Sequence, residues 1–328
     1  MAAAQSQPET DRHSPETDRH RVVNGVRMAI AAHLIWGAMP LYLLLVATVP
    51  PAEYVAWRVL FTVPVCLAVM AARGTLGELA RVASDRRAML ALIGCAATIG
   101  VNWTIYVWAV QTGQVYAASL GFYILPLVML LLGFVVLGER LTPLQWAASA
   151  LAALGVGSLA LGASEGLAVS LSLGVSFAVY GLLRKVVAAG PLTGLAVETL
   201  LLAPVAIAVI AWQAAGPTGI ALGRDAVESW AIAMAGPITA LPLILFSAAA
   251  RRMPYTAMGF LQFLSPTIIF ILGLTVFDEV LRPAQLLAFV TIWTAAGLFC
   301  WDLLRRRQPP RRVAAEPIQR DSAVRTGR

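Results

Sequence analysis

The sequence predicts an all-α membrane protein: ten transmembrane helices in two inverted five-helix repeats, with both termini cytoplasmic. Three observations lead there. Long stretches carry no charge, the basic residues collect on one side of those stretches, and the chain matches itself at a shift of 140 residues. The 328 residues are 59% hydrophobic and 12% charged, and mean hydropathy is +0.78. A globular domain carries about 25% charged residues, so this chain has too few charges to cover a water-facing surface. A disulfide-stapled secreted domain is excluded as well. Cys66, Cys95 and Cys300 lie within apolar runs and show no disulfide or metal spacing.

Residues 89–138 contain no Asp, Glu, Lys or Arg, and neither do 28–52, 144–164, 199–223, 229–250, 253–277 or 283–301. Most of these runs are close to the ~20 residues needed to cross a ~30 Å hydrocarbon layer. The 89–138 run is long enough for two crossings, with Gln111-Thr-Gly-Gln114 as the turn between them. Residues 166–183 supply another crossing, and 53–72 one more with Arg58 inside it. The predicted spans are 28–48, 53–72, 88–110, 115–138, 144–162, 166–187, 192–213, 229–250, 254–277 and 283–302. They read as helices because hydrocarbon offers backbone amides no partner. They also lack the period-2 alternation of a barrel strand.

With the N-terminus inside, 21 of the 24 Lys and Arg fall on the inner side, Arg224 and Arg282 fall on the outer side, and Arg58 lies within a span. Inner loops carry such an excess, so the net charge of +7 is a topology signal. The Arg-rich C-terminal tail is not read as nucleic-acid binding, because no folded module or interleaved aromatics accompany it.

Residues 1–24 are expected to form a disordered polar tail in which Pro8-Glu-Thr-Asp-Arg-His13 recurs at Pro15–His20. His13 and His20 are not read as a metal site. The first repeat is assigned to 25–163, the second to 164–304, and a loose basic tail to 305–328.

The shift of 140 residues brings Pro51 onto Pro191, Pro64 onto Pro204 and Pro126 onto Pro266. Seven of the fourteen positions in 132–145 are identical to their shifted partners, among them Glu139/Glu279, Pro143/Pro283 and Gln145/Gln285. Each repeat holds five crossings, an odd number, so the second copy enters the membrane from the opposite side. Secondary transporters use such inverted repeats to build two related states.

Several stretches resemble the EamA branch of the drug/metabolite transporter superfamily, in particular its RarD subfamily, which is labelled chloramphenicol-sensitive. They are Leu34-Ile-Trp-Gly37, Trp57-Arg-Val59, Gly100-Val-Asn-Trp103, Ala117-Ala-Ser-Leu-Gly121, Leu137-Gly-Glu-Arg140, Tyr180-Gly-Leu-Leu-Arg184, Val197-Glu-Thr199 and Gly259-Phe-Leu-Gln-Phe-Leu-Ser-Pro266. The resemblance covers about residues 25–303 and departs from the pattern at Asp278, where a Gly is usual. It implies a plasma-membrane permease with an exporter-like character and an undefined cargo.

Charge within hydrocarbon is costly, about 2.5–3.5 kcal/mol at a helix centre on insertion scales. Arg58 and Glu198, which the 140-residue shift aligns, are therefore the first candidates for the substrate or ion pathway. Arg58 is read as the partner of an anionic group or an outer gate, and Glu198 as a cation or proton site. The other reading is that both snorkel or cap a helix end. At 1.5 Å per residue each lies only ~8–9 Å deep, from opposite faces, so no direct salt bridge between them is expected. Asn102, Trp103, Tyr123 and Gln262 complete the expected pathway, Tyr123 and Gln262 standing just before Pro126 and Pro266. Each proline removes a helical hydrogen bond and frees a carbonyl to line a cavity. His33, Trp36 and Tyr106 are candidate lining residues, His33 being either a proton carrier or a packing residue. Glu139 and Glu279 are read as ties between helix ends or as gates. For all of these, ordinary helix–helix packing is the alternative.

No P-loop, His-Glu-x-x-His motif or Gly-x-Ser-x-Gly elbow occurs, so the expectation is neither an enzyme nor a cofactor or metal protein. The expected partners are a small-molecule substrate, the lipid bilayer and a coupling proton, with a homodimer left open. A lipid-acting enzyme and a non-transporting membrane sensor or assembly partner are the rival readings.

Overall fold

The computed structural model describes residues 15–112, 114–160, 166–276 and 283–305, and no strand occurs among them. The helices are α1 (Pro15–Leu43), α2 (Pro51–Ala72), α3 (Gly77–Ser84), α4 (Arg86–Gln111), α5 (Val115–Val135), α6 (Pro143–Ala160), α7 (Leu167–Val186), α8 (Pro191–Ala214), α9 (Ala226–Ala250), α10 (Tyr255–Leu261), α11 (Leu264–Thr275) and α12 (Pro283–Arg305). Among the described residues, nine segments are long and apolar enough to cross a membrane; Leu286–Asp302 of α12 is a shorter apolar segment.

Local chemistry sets the helix starts. Pro51 and Pro191 stand at the first positions of α2 and α8, where a missing N–H costs nothing and φ is already helical. Asp225 caps α9 by accepting from the Glu228 amide at 2.9 Å. Asp85 caps α4 by accepting from the amides of Arg87 and Ala88. Thr142 and Gln145 form a reciprocal capping box ahead of α6. Within the spans, hydroxyls such as those of Thr98, Thr199 and Thr267 return to carbonyls one turn back, which satisfies them where no water is present.

The structure departs from the sequence expectation in four places. Helix α1 already runs at Pro15, the first described residue, so residues 15–24 of the expected tail are helical. The same helix tightens into a 3-10 turn at Leu44–Val46. The short α3 was not expected, and Glu78 ties it to α8 by accepting from the Thr193 hydroxyl. The expected ninth span is broken between α10 and α11. Pro266 has no N–H for the Gln262 carbonyl, and the amides of Gln262 and Phe263 turn back three residues, to Gly259 and Phe260.

Helix α1 packs on α9 and α11, α2 on α8 and α9, α4 on α7 and α8, α5 on α7 and α10, and α6 on α12. Small residues let backbones meet. A Cβ on Gly236 of α9 would stand 2.4 Å from the Phe61 carbonyl oxygen of α2. The outer faces are apolar, with Leu154, Val205 and Leu287 exposed, as a lipid-facing surface requires. Exposed Trp108, Trp212, Trp230, Trp146 and Trp301 lie near helix ends, where indoles sit at a membrane–water interface.

Candidate functional site

A cavity of about 340 Å³ lies between α1, α2, α4, α5, α7 and the α10–α11 break. It runs from Trp36 in α1 to Ala47 and Val49 in the turn before α2, and Pro40, Leu43, Val55, Leu125 and Ile269 supply apolar wall. Arg58, Asn102, Trp103, Tyr106, Gln262 and Trp36, all expected from sequence, line it, joined by Tyr54, Phe122, Phe177 and Ser265.

Arg58 is held on two sides. Its Nε donates to the Thr239 hydroxyl of α9 at 2.9 Å, and its guanidinium carbon stands 4.7 Å from the centre of a Trp103 ring and 5.8 Å from that of Tyr54. No carboxylate pairs with it among the described residues. Asn102 commits its amide nitrogen to α7, donating to the Leu173 carbonyl at 3.0 Å and the Ser176 hydroxyl at 2.9 Å. The Gln262 amide nitrogen lies 3.4 Å from the Met129 sulfur. Tyr123 is packed against the core and does not line the cavity; its neighbour Phe122 does, edge-on to Tyr106. His33 is fully buried behind the lining, with Nδ1 3.0 Å from the Ser265 hydroxyl and Nε2 unbonded among the described residues.

Beyond Trp36 the cavity ends on a layer of rings. Trp36, Phe177 and Phe246 pack within 5.5–5.7 Å of one another, and Tyr180 adjoins Phe177 and Phe246. On the far side, the Tyr180 hydroxyl donates to Glu198 at 3.2 Å. Glu198 pairs with Arg184 at 3.2 Å, the two side chains being 2% and 1% exposed. Arg184 also donates to the Ser247 hydroxyl and the Pro191 carbonyl. Gly194 makes room for this guanidinium: a Cβ there would stand 1.8 Å from Arg184 Nη1. Glu198 and Arg58 thus have separate partners.

The profile of the EamA-like transporter family matches residues 23–161. An uncharacterized transporter of Pseudomonas aeruginosa is 40% identical over 87% of this chain and 96% of its own length. Protein RarD of Salmonella typhimurium is 36% identical over 85% of this chain and 95% of its own. The chloramphenicol-sensitive protein RarD of Pseudomonas aeruginosa is 32% identical over 88% and 98%. This chain belongs to the EamA-like transporter family. Within it the chain is a RarD-like permease and a multi-pass membrane protein. A crystal structure at 20% identity shares the fold, covering 86% of this chain and 99% of its own with a TM-score of 0.67.

In this RarD-like chain, Glu139 caps a helix distant in sequence. Its carboxylate accepts from the amides of Tyr255 and Thr256 at 2.6 and 2.8 Å, the exposed N–H groups at the start of α10, and lies 3.9 Å from Lys185. Around it, Lys185 donates to the carbonyls of Ala250 and Met253, and Arg251 donates to those of Val187 and Ala189. These bonds lash the α7–α8 turn to the α9–α10 turn. Glu279 lies outside the described residues. Sequence reasoning missed Arg184, Ser247, Thr239 and Phe177. Arg184 had one signal, its place one turn after Tyr180 on α7.

Proposed function

We propose that this RarD-like permease is a secondary transporter of the cytoplasmic membrane that moves a small organic solute by alternating access. The carrying observation is the central cavity: it reaches the α1–α2 turn at one end and stops, at the other, on the aromatic layer backed by the Arg184–Glu198 pair. With the termini cytoplasmic, as the distribution of Lys and Arg supports, the closed end faces inward and the conformation is outward-facing. The lashings of Lys185 and Arg251 are then the inner closure.

Ten spans in inverted halves draw support from the helix pairing. Exchange α1 for α7, α2 for α8, α4 for α9, α5 for α10–α11 and α6 for α12. The α1–α9 pair becomes α7–α4, α2–α9 becomes α8–α4 and α1–α11 becomes α7–α5, while α2–α8, α5–α10 and α6–α12 map onto themselves. Such a pattern supports a second state in which the first half closes as the second opens.

Glu198 is assigned the coupling role. A proton on its carboxylate dissolves the ion pair with Arg184 and loosens the inner end, which ties opening to proton movement. Export is the direction we assign, following the family resemblance.

Everted vesicles test this reading. Solutes accumulated by vesicles carrying the native chain, profiled by mass spectrometry, should include at least one lost with Glu198→Gln. An imposed pH gradient should change the flux of that solute. Flux indifferent to the gradient removes proton coupling; no protein-dependent solute at all removes the transporter.

A further inference from the structure

We infer that the cavity takes organic anions built on a flat apolar body of one or two rings, with Arg58 as the partner of the anionic group. This deepens the transporter reading and rests on it.

Arg58 is the only side chain with a full charge among the described residues that line the cavity. An unpaired cation at this depth is costly, and neither Glu53 of the same helix nor Glu228 pairs with it, although Glu53 keeps one buried oxygen, Oε2, without a hydrogen bond among the described residues. Glu53 accepts from the Ala221 amide at 2.7 Å and the Trp57 indole at 3.1 Å. Glu228 is held by Arg224 at 3.0 Å and by the Thr48 hydroxyl. The protein thus leaves the charge of Arg58 for a ligand to neutralise.

The orientation of the guanidinium fits that role. Thr239 takes the Nε proton and Trp103 covers one face, while neither Nη is hydrogen-bonded among the described residues. Four N–H groups remain on the two Nη, and the two that point forward in parallel, one from each, suit a carboxylate or sulfonate. Trp36, Trp103, Tyr106, Phe122 and Phe177 supply flat walls, against which a ring stacks edge-on or offset. The volume of about 340 Å³ is roughly twice the ~150 Å³ cavity that accepts benzene, enough for one or two rings and an anionic group. An ammonium would meet Arg58 and no lining carboxylate. Cations and zwitterions are therefore selected against, by repulsion as well as by missing partners.

The test is equilibrium binding of tritiated 2-naphthalenesulfonate, which is permanently ionised, to the full chain in nanodiscs. The competitors are neutral 2-naphthalenesulfonamide, cationic 2-naphthylmethylammonium and zwitterionic naphthylalanine. The anion should bind at least about tenfold tighter than each, since charge-assisted hydrogen bonds outweigh neutral ones about twofold. Arg58→Gln should remove that preference by lowering sulfonate affinity far more than sulfonamide affinity, and Arg58→Lys should restore part of it. Should Arg58→Gln fail to fold, Thr239→Val is read in its place and should lower the preference severalfold. No binding of the sulfonate, equal binding of the competitors, or a preference unchanged in the variant read overturns the assignment. Flux of the sulfonate from proteoliposomes separates the two readings. Selective binding without flux removes the transporter and leaves the ligand class; flux of other solutes without anion preference removes the ligand class and leaves the transporter.

Discussion

The Arg184 guanidinium lies 3.2 Å from the Glu198 carboxylate, at a point where 1% and 2% of the two side chains are exposed. Such a pair recovers its desolvation cost only when further hydrogen bonds satisfy both groups. Ser247, Pro191 and Tyr180 supply them for Arg184 Nε and Nη2 and for Glu198 Oε2, while Arg184 Nη1 and Glu198 Oε1 have only each other, as an ion pair without a hydrogen bond among the described residues. Removing one partner leaves the other charged and buried, so Glu198→Gln should lower stability by about 3–5 kcal/mol. Arg184→Met combined with Glu198→Leu should recover most of that loss while transport stays absent. Thermal unfolding in detergent and vesicle flux read the two effects separately.

Gly194→Ala probes the same pair without touching either charge. The new Cβ would stand 1.8 Å from Arg184 Nη1, so the guanidinium must leave its seat. The expected outcome is a fall in unfolding temperature comparable to that of Glu198→Gln. A variant as stable as the native chain would show that Arg184 has another place to go.

Glu139→Gln should cost about 1 kcal/mol, in the range of a lost helix cap, because a neutral amide oxygen caps two N–H groups less well than a carboxylate. Hydrogen exchange at the amides of Tyr255 and Thr256, its two donors, should quicken before that of α5 does.

Pro266→Ala restores an N–H to the Gln262 carbonyl and should let α10 and α11 run together. Stability should rise by about 1 kcal/mol, one net hydrogen bond. Flux should fall, because Gln262 and Ser265 line the cavity at this break. Higher stability with undiminished flux would mean that the break does not serve transport.

The helix positions were readable because charge is excluded from hydrocarbon. The predicted spans are 192–213 where α8 is Pro191–Ala214, and 229–250 where α9 is Ala226–Ala250. The same rule singled out Arg58, but it says nothing of partners. It could not bring Thr239, 181 residues away, to the Arg58 side chain. Arg184 escaped notice because, followed by Lys185 near a helix end, it reads as a flanking charge. Its burial depends on the room left by Gly194 on another helix. Tyr123 and Phe122 show the same limit at finer scale: one helical residue is about 100° of rotation, enough to exchange cavity for core.

The most direct measurement of alternating access is the reactivity of a single cysteine in the cavity, Val55→Cys, in a chain whose three native cysteines are replaced. A membrane-impermeant maleimide is applied to right-side-out and to everted vesicles. The account predicts labelling from both faces, with Gly194→Ala raising the rate from the inner face by loosening the closure there. Labelling from one face only, under every condition, would contradict it.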